Sequence, residues 1–254
     1  MRKINDSVMQ DAINKNQAPT DSEMRCLEVS ESKGNFHRND SPEKQAVRVK
    51  KAPIQLPTGA VYSGEWCGEM RDGHGSQVWP DQSKYEGEWR LDKANGRGKL
   101  WHADGDIYEG EWLDDRAHGF GTYTHANGAV YEGEWVQDKQ EGQGKETWPD
   151  GAQYEGDYLD GKKHGRGRLR FADGSVYEGE FINNEINGVG EYRWQDGKTY
   201  NGEWRANKMN GRGNLSWPDG KSYEGEFVDD KRDGNGLFKW GDGKVYEGQW
   251  KNGK

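Results

Sequence analysis

The sequence predicts an all-β protein: an elongated, single-layer antiparallel meander of 23-residue β-hairpins that follows a disordered N-terminal tail. Three observations predict this fold. A tyrosine recurs every 23 residues without an insertion, four glycines occupy fixed places in the unit, and aromatic residues alternate with acidic ones after each tyrosine. A fixed period of this size is typical of repeat proteins, in which each unit contacts only its neighbours.

Composition divides the chain near Pro53. Residues 1–53 contain no Trp, no Tyr and a single Gly, whereas residues 54–254 contain all 12 Trp, all 12 Tyr and 37 of the 38 Gly. The charge balance is +2 in the first part and −11 in the second. Because a chain poor in apolar residues cannot offset its conformational entropy, we expect residues 1–53 to be a disordered tail and residues 54–254 to be the folded array.

The recurring tyrosine defines position 1 of each unit. Eight units are complete, and the ninth ends after its first strand, at YEGQWKNGK. The tyrosines are Tyr62, Tyr85, Tyr108, Tyr131, Tyr154, Tyr177, Tyr200, Tyr223 and Tyr246.

The first strand of each unit has two different faces. Position 3 is always Gly, position 5 is always aromatic, and position 4 is acidic in every copy but the last, which has Gln249. Because side chains alternate across a strand, Tyr, Gly and the aromatic residue share one face while the acidic residues share the other. We expect the acidic residues to form a solvated ladder with the bases at positions 13, 15 and 17, such as Arg97 and Lys99.

The second strand covers positions 14 to 18. Glycines at positions 12 and 14 permit a bend or a positive φ, and position 18 is usually a large aromatic residue. The unit ends in Asp-Gly or Asn-Gly, as in Asp150-Gly151, which is a strong signal for a hairpin turn. Four glycines per unit argue against a helical repeat.

These phrases resemble the MORN (membrane occupation and recognition nexus) repeat, a motif of about this length with a YEGEW…GxG core. The resemblance covers residues 59–254; the first copy departs from it at YSGEW and at Gln82, where Gly is expected. It implies an elongated twisted sheet that advances about 10 Å per unit, since two strands contribute about 4.8 Å each. It also implies a scaffold or adaptor role in cytoskeletal, ciliary or membrane-contact assemblies.

The aromatic face is the predicted site for a partner protein. A single-layer sheet that curves would form a groove, and exposed apolar strips with aromatic anchors are typical of binding surfaces. The occupant would be a partner segment, such as a helix, or a second copy in a homodimer. The alternative is that these rings only stabilise the sheet. The groove residues are Tyr85, Trp89, Tyr108, Trp112, Tyr131, Trp135, Trp148, Tyr154, Tyr177, Trp194, Tyr200, Trp204 and Trp217.

A basic column at position 9 is the predicted contact for anionic phospholipid. Cations about 10 Å apart could each contribute about 1 kcal/mol near a charged membrane surface. Neighbouring aspartates, such as Asp92 and Asp115, would oppose this, and ordinary solvation is the alternative. The column comprises Lys93, Arg116, Lys139, Lys162, Lys208 and Lys231.

No catalytic, cofactor-binding or metal site is predicted. The histidines occupy different repeat positions, apart from His118 and His164 at position 11 and His102 and His125 at position 18, and no serine elbow or phosphate-binding loop occurs. The acidic array argues against nucleic acid as a partner. Two cysteines, Cys26 and Cys67, predict no disulfide framework, which favours a reducing setting. The first residues have no apolar stretch typical of a secretory signal.

The sequence therefore predicts a cytoplasmic, non-catalytic scaffold at the cytoskeleton, a cilium or the cytoplasmic face of a membrane. Two alternatives remain. One is the regulatory region of a phosphatidylinositol phosphate kinase, which the resemblance suggests and which would require a longer chain. The other is an adaptor that binds phosphoinositides directly through the basic column.

Overall fold

The computed structural model describes residues 47–254. This range contains eighteen β-strands with connecting turns and no helix. Within each of the two compact units described below the paired strands are antiparallel, which confirms the predicted all-β fold class. The strands are β1 (Val49–Gln55), β2 (Val61–Cys67), β3 (Met70–Val78), β4 (Lys84–Arg90), β5 (Lys93–Trp101), β6 (Ile107–Leu113), β7 (Arg116–Thr124), β8 (Val130–Val136), β9 (Lys139–Thr147), β10 (Gln153–Leu159), β11 (Lys162–Arg170), β12 (Val176–Ile182), β13 (Glu185–Arg193), β14 (Thr199–Arg205), β15 (Lys208–Ser216), β16 (Ser222–Val228), β17 (Lys231–Lys239) and β18 (Val245–Trp250).

Two compact units are distinguished within the chain. Unit 1 extends to Ala126 and includes Trp135–Lys139, and unit 2 comprises Asn127–Glu134 and Gln140–Lys254. In unit 1, strands β1 to β7 pair in chain order. In unit 2, strands β9 to β18 do the same.

Strand β1 precedes the first repeat and covers its edge. Lys51 pairs with Gly64, and the Lys51 ammonium lies 4.7 Å from the centre of the Trp66 ring. The predicted boundary at residue 53 falls inside this strand, so regular pairing begins at residue 49. The sequence alone did not reveal it because β1 has none of the repeat's signature residues. The predicted tail up to residue 46 lies outside the described residues.

The cysteine of the repeat array is buried. Cys67 ends β2, is 4% exposed and is disulfide-bonded. The sequence-based expectation was that Cys26 and Cys67 form no disulfide framework. The other cysteine, Cys26, lies outside the described residues.

Within each hairpin the register places glycine opposite glycine. In β10 and β11, Tyr154 faces Leu169 and Gly156 faces Gly167, after which the register shifts before Tyr158. This shift is a β-bulge, which inserts extra residues into one strand and increases its twist. Position 12 lies in the bulge, and its glycine, Gly165, has a φ of +60°.

The acidic residue at position 4 serves the bulge. A carboxylate oxygen of Asp157 accepts the backbone N–H of Arg166 at 2.7 Å, and Glu203 accepts the N–H of Arg212 at 3.0 Å. The prediction of a solvated charge ladder therefore needs correction at position 4. Here the carboxylate accepts a backbone N–H group that lost its partner in the strand ladder when the bulge shifted the register. Position 2 fits the predicted ladder better: the Lys99 ammonium lies 2.8 Å from Glu109.

Each hairpin has a two-residue turn between its strands, and the second turn residue forms hydrogen bonds with the preceding repeat. At positions 7 and 8 of the sixth repeat, Asn183 and Asn184 have φ values of +52° and +72°, as a type I′ hairpin turn requires. The Asn184 side chain accepts the backbone N–H of Lys163 at 2.9 Å, and the N–H of Asn184 donates to the carbonyl of Lys163 at 2.9 Å. This reciprocal pair, here called the position-8 clamp, fixes the register of one repeat against the next.

Candidate functional site

The repeated tyrosines form the core of the sheet. Tyr154 is fully buried, and its ring lies across the facing glycines of its own hairpin, so that a Cβ at Gly167 would lie 2.5 Å from the ring. The Tyr154 hydroxyl donates to the carbonyl of Asp157 at 3.0 Å. Burial raises the pKa of Tyr154 well above its ordinary value, so the hydroxyl stays protonated and keeps this hydrogen bond.

The aromatic residue at position 5 connects neighbouring repeats. In unit 1 the Trp112 indole N–H donates to the carbonyl of Gly98 in the preceding repeat at 3.1 Å. Its ring meets Tyr85 and Tyr108 edge-to-face, at centroid distances of 5.2 and 5.1 Å. Trp112 is 4% exposed, so its ring packs between two tyrosines and leaves almost no surface for a ligand.

Most of the predicted groove residues share this buried position. Each of them is at most 7% exposed, so these side chains support the sheet and a partner cannot reach them while the sheet is intact. They were assigned to a groove because alternation predicts which face a side chain takes but not how completely its neighbours cover it. The buried members are Tyr85, Trp89, Tyr108, Trp112, Tyr131, Trp135, Tyr154, Tyr177, Tyr200 and Trp204.

The three remaining groove residues belong to repeats of compact unit 2. Each lies at position 18 of its repeat and is partly exposed. Two further rings occupy the same position in unit 2, and Trp240 is 39% exposed. One large ring per repeat is therefore accessible at the edge where the five-residue turns lie. We call this set the aromatic row: Trp148, Phe171, Trp194, Trp217 and Trp240.

Cations lie against the aromatic row. The Lys198 ammonium is 3.9 Å from the centre of the Trp194 ring, and the Lys163 ammonium is 4.8 Å from that of Trp148. Lys163 also pairs with Glu146 at 2.5 Å. Cation–π contacts of this kind orient the rings and contribute about 0.5–1 kcal/mol each at exposed sites.

Unit 1 has a polar cluster where unit 2 has the aromatic row. The Tyr123 hydroxyl donates to Asp106 at 2.6 Å, and the His125 Nδ1 lies 3.4 Å from the same carboxylate. Burial alone would raise the pKa of Asp106, but hydrogen bonds from Tyr123 and the Ala126 N–H lower it overall. Burial lowers the pKa of His102, which favours its neutral form. No group of side chains among residues 47–254 is arranged to hold a metal ion.

The predicted lipid-contact residues line the two-residue turns. In unit 2, Lys162, Lys208 and Lys231 are exposed, and Lys208 lies 3.5 Å from Asp229. In unit 1 Lys93 lies 3.6 Å from Asp114, beside a hollow of about 320 Å³ that Leu91 and Leu113 also line. Arg116 is partly exposed and Lys139 is exposed. Lipid contact by these residues stays a prediction.

Sequence reasoning missed an aliphatic column next to these cations. In unit 2, Leu159, Ile182 and Val228 at position 6 are each 48% exposed on the face opposite the tyrosines. Leu159 pairs with Lys162, and Val228 pairs with Lys231. The signal was present in the sequence, because positions 2, 4 and 6 share one face of a strand.

Comparison with protein families matches the chain to the MORN repeat. The match covers residues 62–84, 85–107, 108–130, 131–153, 154–176, 177–199, 200–222, 223–245 and 246–254. No curated protein matches this sequence. Among the residues that the structure describes, no helix is long and apolar enough to cross a bilayer.

Solved structures of low similarity were also found. The TCP10 domain of CPAP from Danio rerio is 13% identical, with a TM-score of 0.43, over 78% of this chain and 94% of that chain. The TCP domain of SAS-4 from Drosophila melanogaster, solved with a proline-rich motif of Ana2, is 13% identical, with a TM-score of 0.35, over 85% and 99%. Virginiamycin B lyase from Staphylococcus aureus reaches a TM-score of 0.16 at 14% identity, over 82% and 72%. At these scores no function is transferred from them.

Proposed function

Since the chain belongs to the MORN repeat family, we propose that it is a non-catalytic scaffold that binds a partner protein along the aromatic row. The family indicates a repeat-based role in protein interaction or at membranes. We further propose that the scaffold serves a cytoskeletal or ciliary assembly in the cytoplasm. The absence of catalysis stays a prediction.

The accessible rings of the aromatic row carry the proposal. Trp194 and Trp217 are partly exposed, whereas the tyrosine and position-5 rings beneath them are buried. The row is therefore a surface held in place by a separate core, and a partner can bind it without disturbing the fold. Large aromatic side chains with a rigid support are the residues that concentrate binding energy at interfaces.

The test compares variants of the full chain by cross-linking and mass spectrometry in cells. Trp194→Ala with Trp217→Ala should remove the partners that cross-link to unit 2, at unchanged protein abundance. Ile182→Ala is the matched control, because it removes a half-exposed apolar side chain from the opposite face. The proposal fails if the tryptophan variant keeps these cross-links, or if the Ile182 variant loses them as well. Sedimentation of the same proteins over a range of concentrations tests whether the partner is a second copy.

A membrane contact through the position-6 and position-9 residues of unit 2 is the second candidate. It is favoured by the adjacency of exposed lysines and half-exposed aliphatic side chains, as at Leu159 and Lys162. Flotation with anionic and neutral liposomes should show binding to the anionic ones that Lys162→Glu with Lys231→Glu abolishes. Equal flotation of the variant and the unchanged chain would reject it.

Sequencing the transcript beyond codon 254 tests the kinase alternative, since an immediate stop codon excludes it.

A further inference from the structure

Three successive repeats of unit 2 end in the same five-residue turn, W-x-D-G-K. The turns are residues 194–198 (WQDGK), 217–221 (WPDGK) and 240–244 (WGDGK). Each contributes a member of the aromatic row together with a lysine at position 22. The other complete repeats have no base at that position: they carry Ser83, Asp106, Ala129, Ala152 and Ser175. We call this part of the surface the tryptophan–lysine strip: Trp194, Lys198, Trp217, Lys221, Trp240 and Lys244.

The same backbone hydrogen bond closes each turn. The backbone N–H of Trp217 donates to the carbonyl of Lys221 at 2.9 Å, and the equivalent bond joins Trp240 and Lys244 at 2.8 Å. In the first of the three turns the Lys198 ammonium lies 3.9 Å from the centre of the Trp194 ring. The side chains of Lys221 and Lys244 are 44% and 78% exposed. Each of the three repeats therefore carries one large ring and one lysine on the same turn.

The lysines of the strip are available to a ligand carboxylate. Lys221 pairs with Asp219 at 2.6 Å and Lys244 with Asp242 at 2.9 Å, both within one turn. Exposed pairs of this kind contribute at most about 1 kcal/mol, so a ligand can replace or share them. Each aspartate is also occupied by the turn, because its carboxylate accepts the backbone N–H two residues later.

We infer that the tryptophan–lysine strip binds an acidic polyproline II segment that carries a carboxylate at every third residue. The inference rests on the proposed scaffold function and names the chemistry of its partner. Polyproline II advances about 3.1 Å per residue and repeats every three residues, so its side chains recur about every 9.3 Å. Repeats of the sheet recur about every 9.6 Å, since each contributes two strands.

This match holds over all three repeats. A polyproline II segment drifts by about 0.3 Å per repeat relative to the strip, from the spacings above. A heptad-repeating α-helix advances about 10.5 Å per heptad and drifts by about 0.9 Å per repeat. Polyproline segments also bind aromatic-lined surfaces in other proteins, because their conformation is formed before binding and little entropy is lost. Prolines would contact Trp194, Trp217 and Trp240 while carboxylates reach the three lysines.

The probe is a fluorescein-labelled (Pro-Pro-Glu)5 peptide, titrated with the full chain and followed by fluorescence anisotropy at low salt. Two control peptides are (Pro-Pro-Lys)5 and a peptide of the same composition with all glutamates at one end. We expect saturable binding of (Pro-Pro-Glu)5 alone. Lys198→Glu with Lys221→Glu should weaken it at least tenfold. Lys208→Glu with Lys231→Glu makes the same charge change at the two-residue turns and should leave the affinity within twofold.

Several outcomes would overturn the inference. These are no binding at millimolar chain, equal binding of either control peptide, or tighter binding of an acidic heptad-patterned helical peptide. Failure of the peptide would leave the scaffold proposal intact if cellular cross-links still require Trp194 and Trp217. Conversely, peptide binding combined with cross-links that ignore those tryptophans would refute the proposed function of the row.

Discussion

The backbone N–H of Ala94 donates to a carboxylate oxygen of Asp115 at 2.7 Å, and the N–H of Asp115 donates to the carbonyl of Ala94 at 3.0 Å. This is the position-8 clamp of the second and third repeats. Asp92 forms the same reciprocal pair with Arg71 one repeat earlier. The aspartates that we expected to screen the basic column therefore have a structural function, which is to join one repeat to the next.

The Asp115 clamp predicts a pH-dependent stability. Burial raises the pKa of Asp115 to about 6, from an ordinary value of 3.8. The folded state then binds a proton that the unfolded state has lost between pH 4 and 6, so this group reduces stability as the pH rises through that window. Asp115→Asn keeps the acceptor oxygen and removes the charge. It should stabilise the protein above pH 6, by on the order of 1–3 kcal/mol.

Urea unfolding at several pH values between 4 and 7.5 measures this effect as the difference between variant and unchanged chain. That difference should be near zero at pH 4 and grow toward pH 7. Asp114→Asn is the matched control, since the Asp114 side chain is 61% exposed and should change stability by less than about 0.5 kcal/mol. A destabilised Asp115→Asn variant at pH 7 would contradict the assignment.

Alanine should destabilise the protein much more at a glycine that faces another glycine across the hairpin than at a glycine in a turn. Gly167→Ala would place a methyl group 2.5 Å from the Tyr154 ring, and the ring has no free space to enter. We expect a loss of about 3 kcal/mol or more. At Gly151 nothing lies within 4 Å of an added Cβ, and only its φ of +87° opposes alanine, which costs about 1–2 kcal/mol.

A double-mutant cycle checks the cause of the Gly167 effect. Chemical denaturation should show that Gly167→Ala is much less harmful when Tyr154→Ala is already present, because the clash has been removed. Additive losses would mean that Tyr154 is not the obstacle.

The position-5 residues predict what the indole N–H contributes. Trp204 donates from Nε1 to the carbonyl of Gly190 at 3.1 Å and is 7% exposed, whereas Phe181 and Phe227 take the same position without that bond. Trp204→Phe should therefore fold and lose about 1–2 kcal/mol, from the missing hydrogen bond and reduced burial. Trp204→Ala should lose about 3–5 kcal/mol, since a cavity is left between two tyrosines. Thermal unfolding of both variants measures the contrast, and unchanged stability of Trp204→Phe would show that the N–H contributes nothing.

Much of this architecture could be predicted because the period repeats without an insertion. The spacing of Tyr154 and Tyr177 and the alternation around them predict the hairpins, the order of strands and the face that each ring takes. Burial could not be predicted, because it depends on residues in the neighbouring repeat. Trp112, for example, is covered by Tyr85 and Tyr108 on different strands.

The bulge and the clamp were hidden for a related reason. An acidic residue such as Asp157 reads as a surface charge unless the bulge that needs its oxygen is known. Position 8 varies among Asp, Asn, Gly and, in the first repeat, Glu, so the sequence does not mark it as strongly as the glycine columns. Three of the five members of the aromatic row, Trp148, Trp194 and Trp217, were predicted as groove residues. They were not distinguished from the buried rings on the same face.

The side-chain and backbone parts of a position-8 clamp can be separated at Asn207. Its side chain accepts the backbone N–H of the buried Ile186 at 2.8 Å, and its φ is +66°. Asn207→Gly keeps the conformation, as Gly161 does at the same position with a φ of +78°, but removes the acceptor. It should cost about 1 kcal/mol. Asn207→Ala adds the strain of a left-handed alanine and should cost about 2–3 kcal/mol.

Amide hydrogen exchange at Ile186 should accelerate equally in both variants, because both lose the same acceptor. Only the alanine variant should show the larger loss of stability in urea unfolding. Unchanged exchange at Ile186 would show that the Asn207 side chain does not hold the two repeats together.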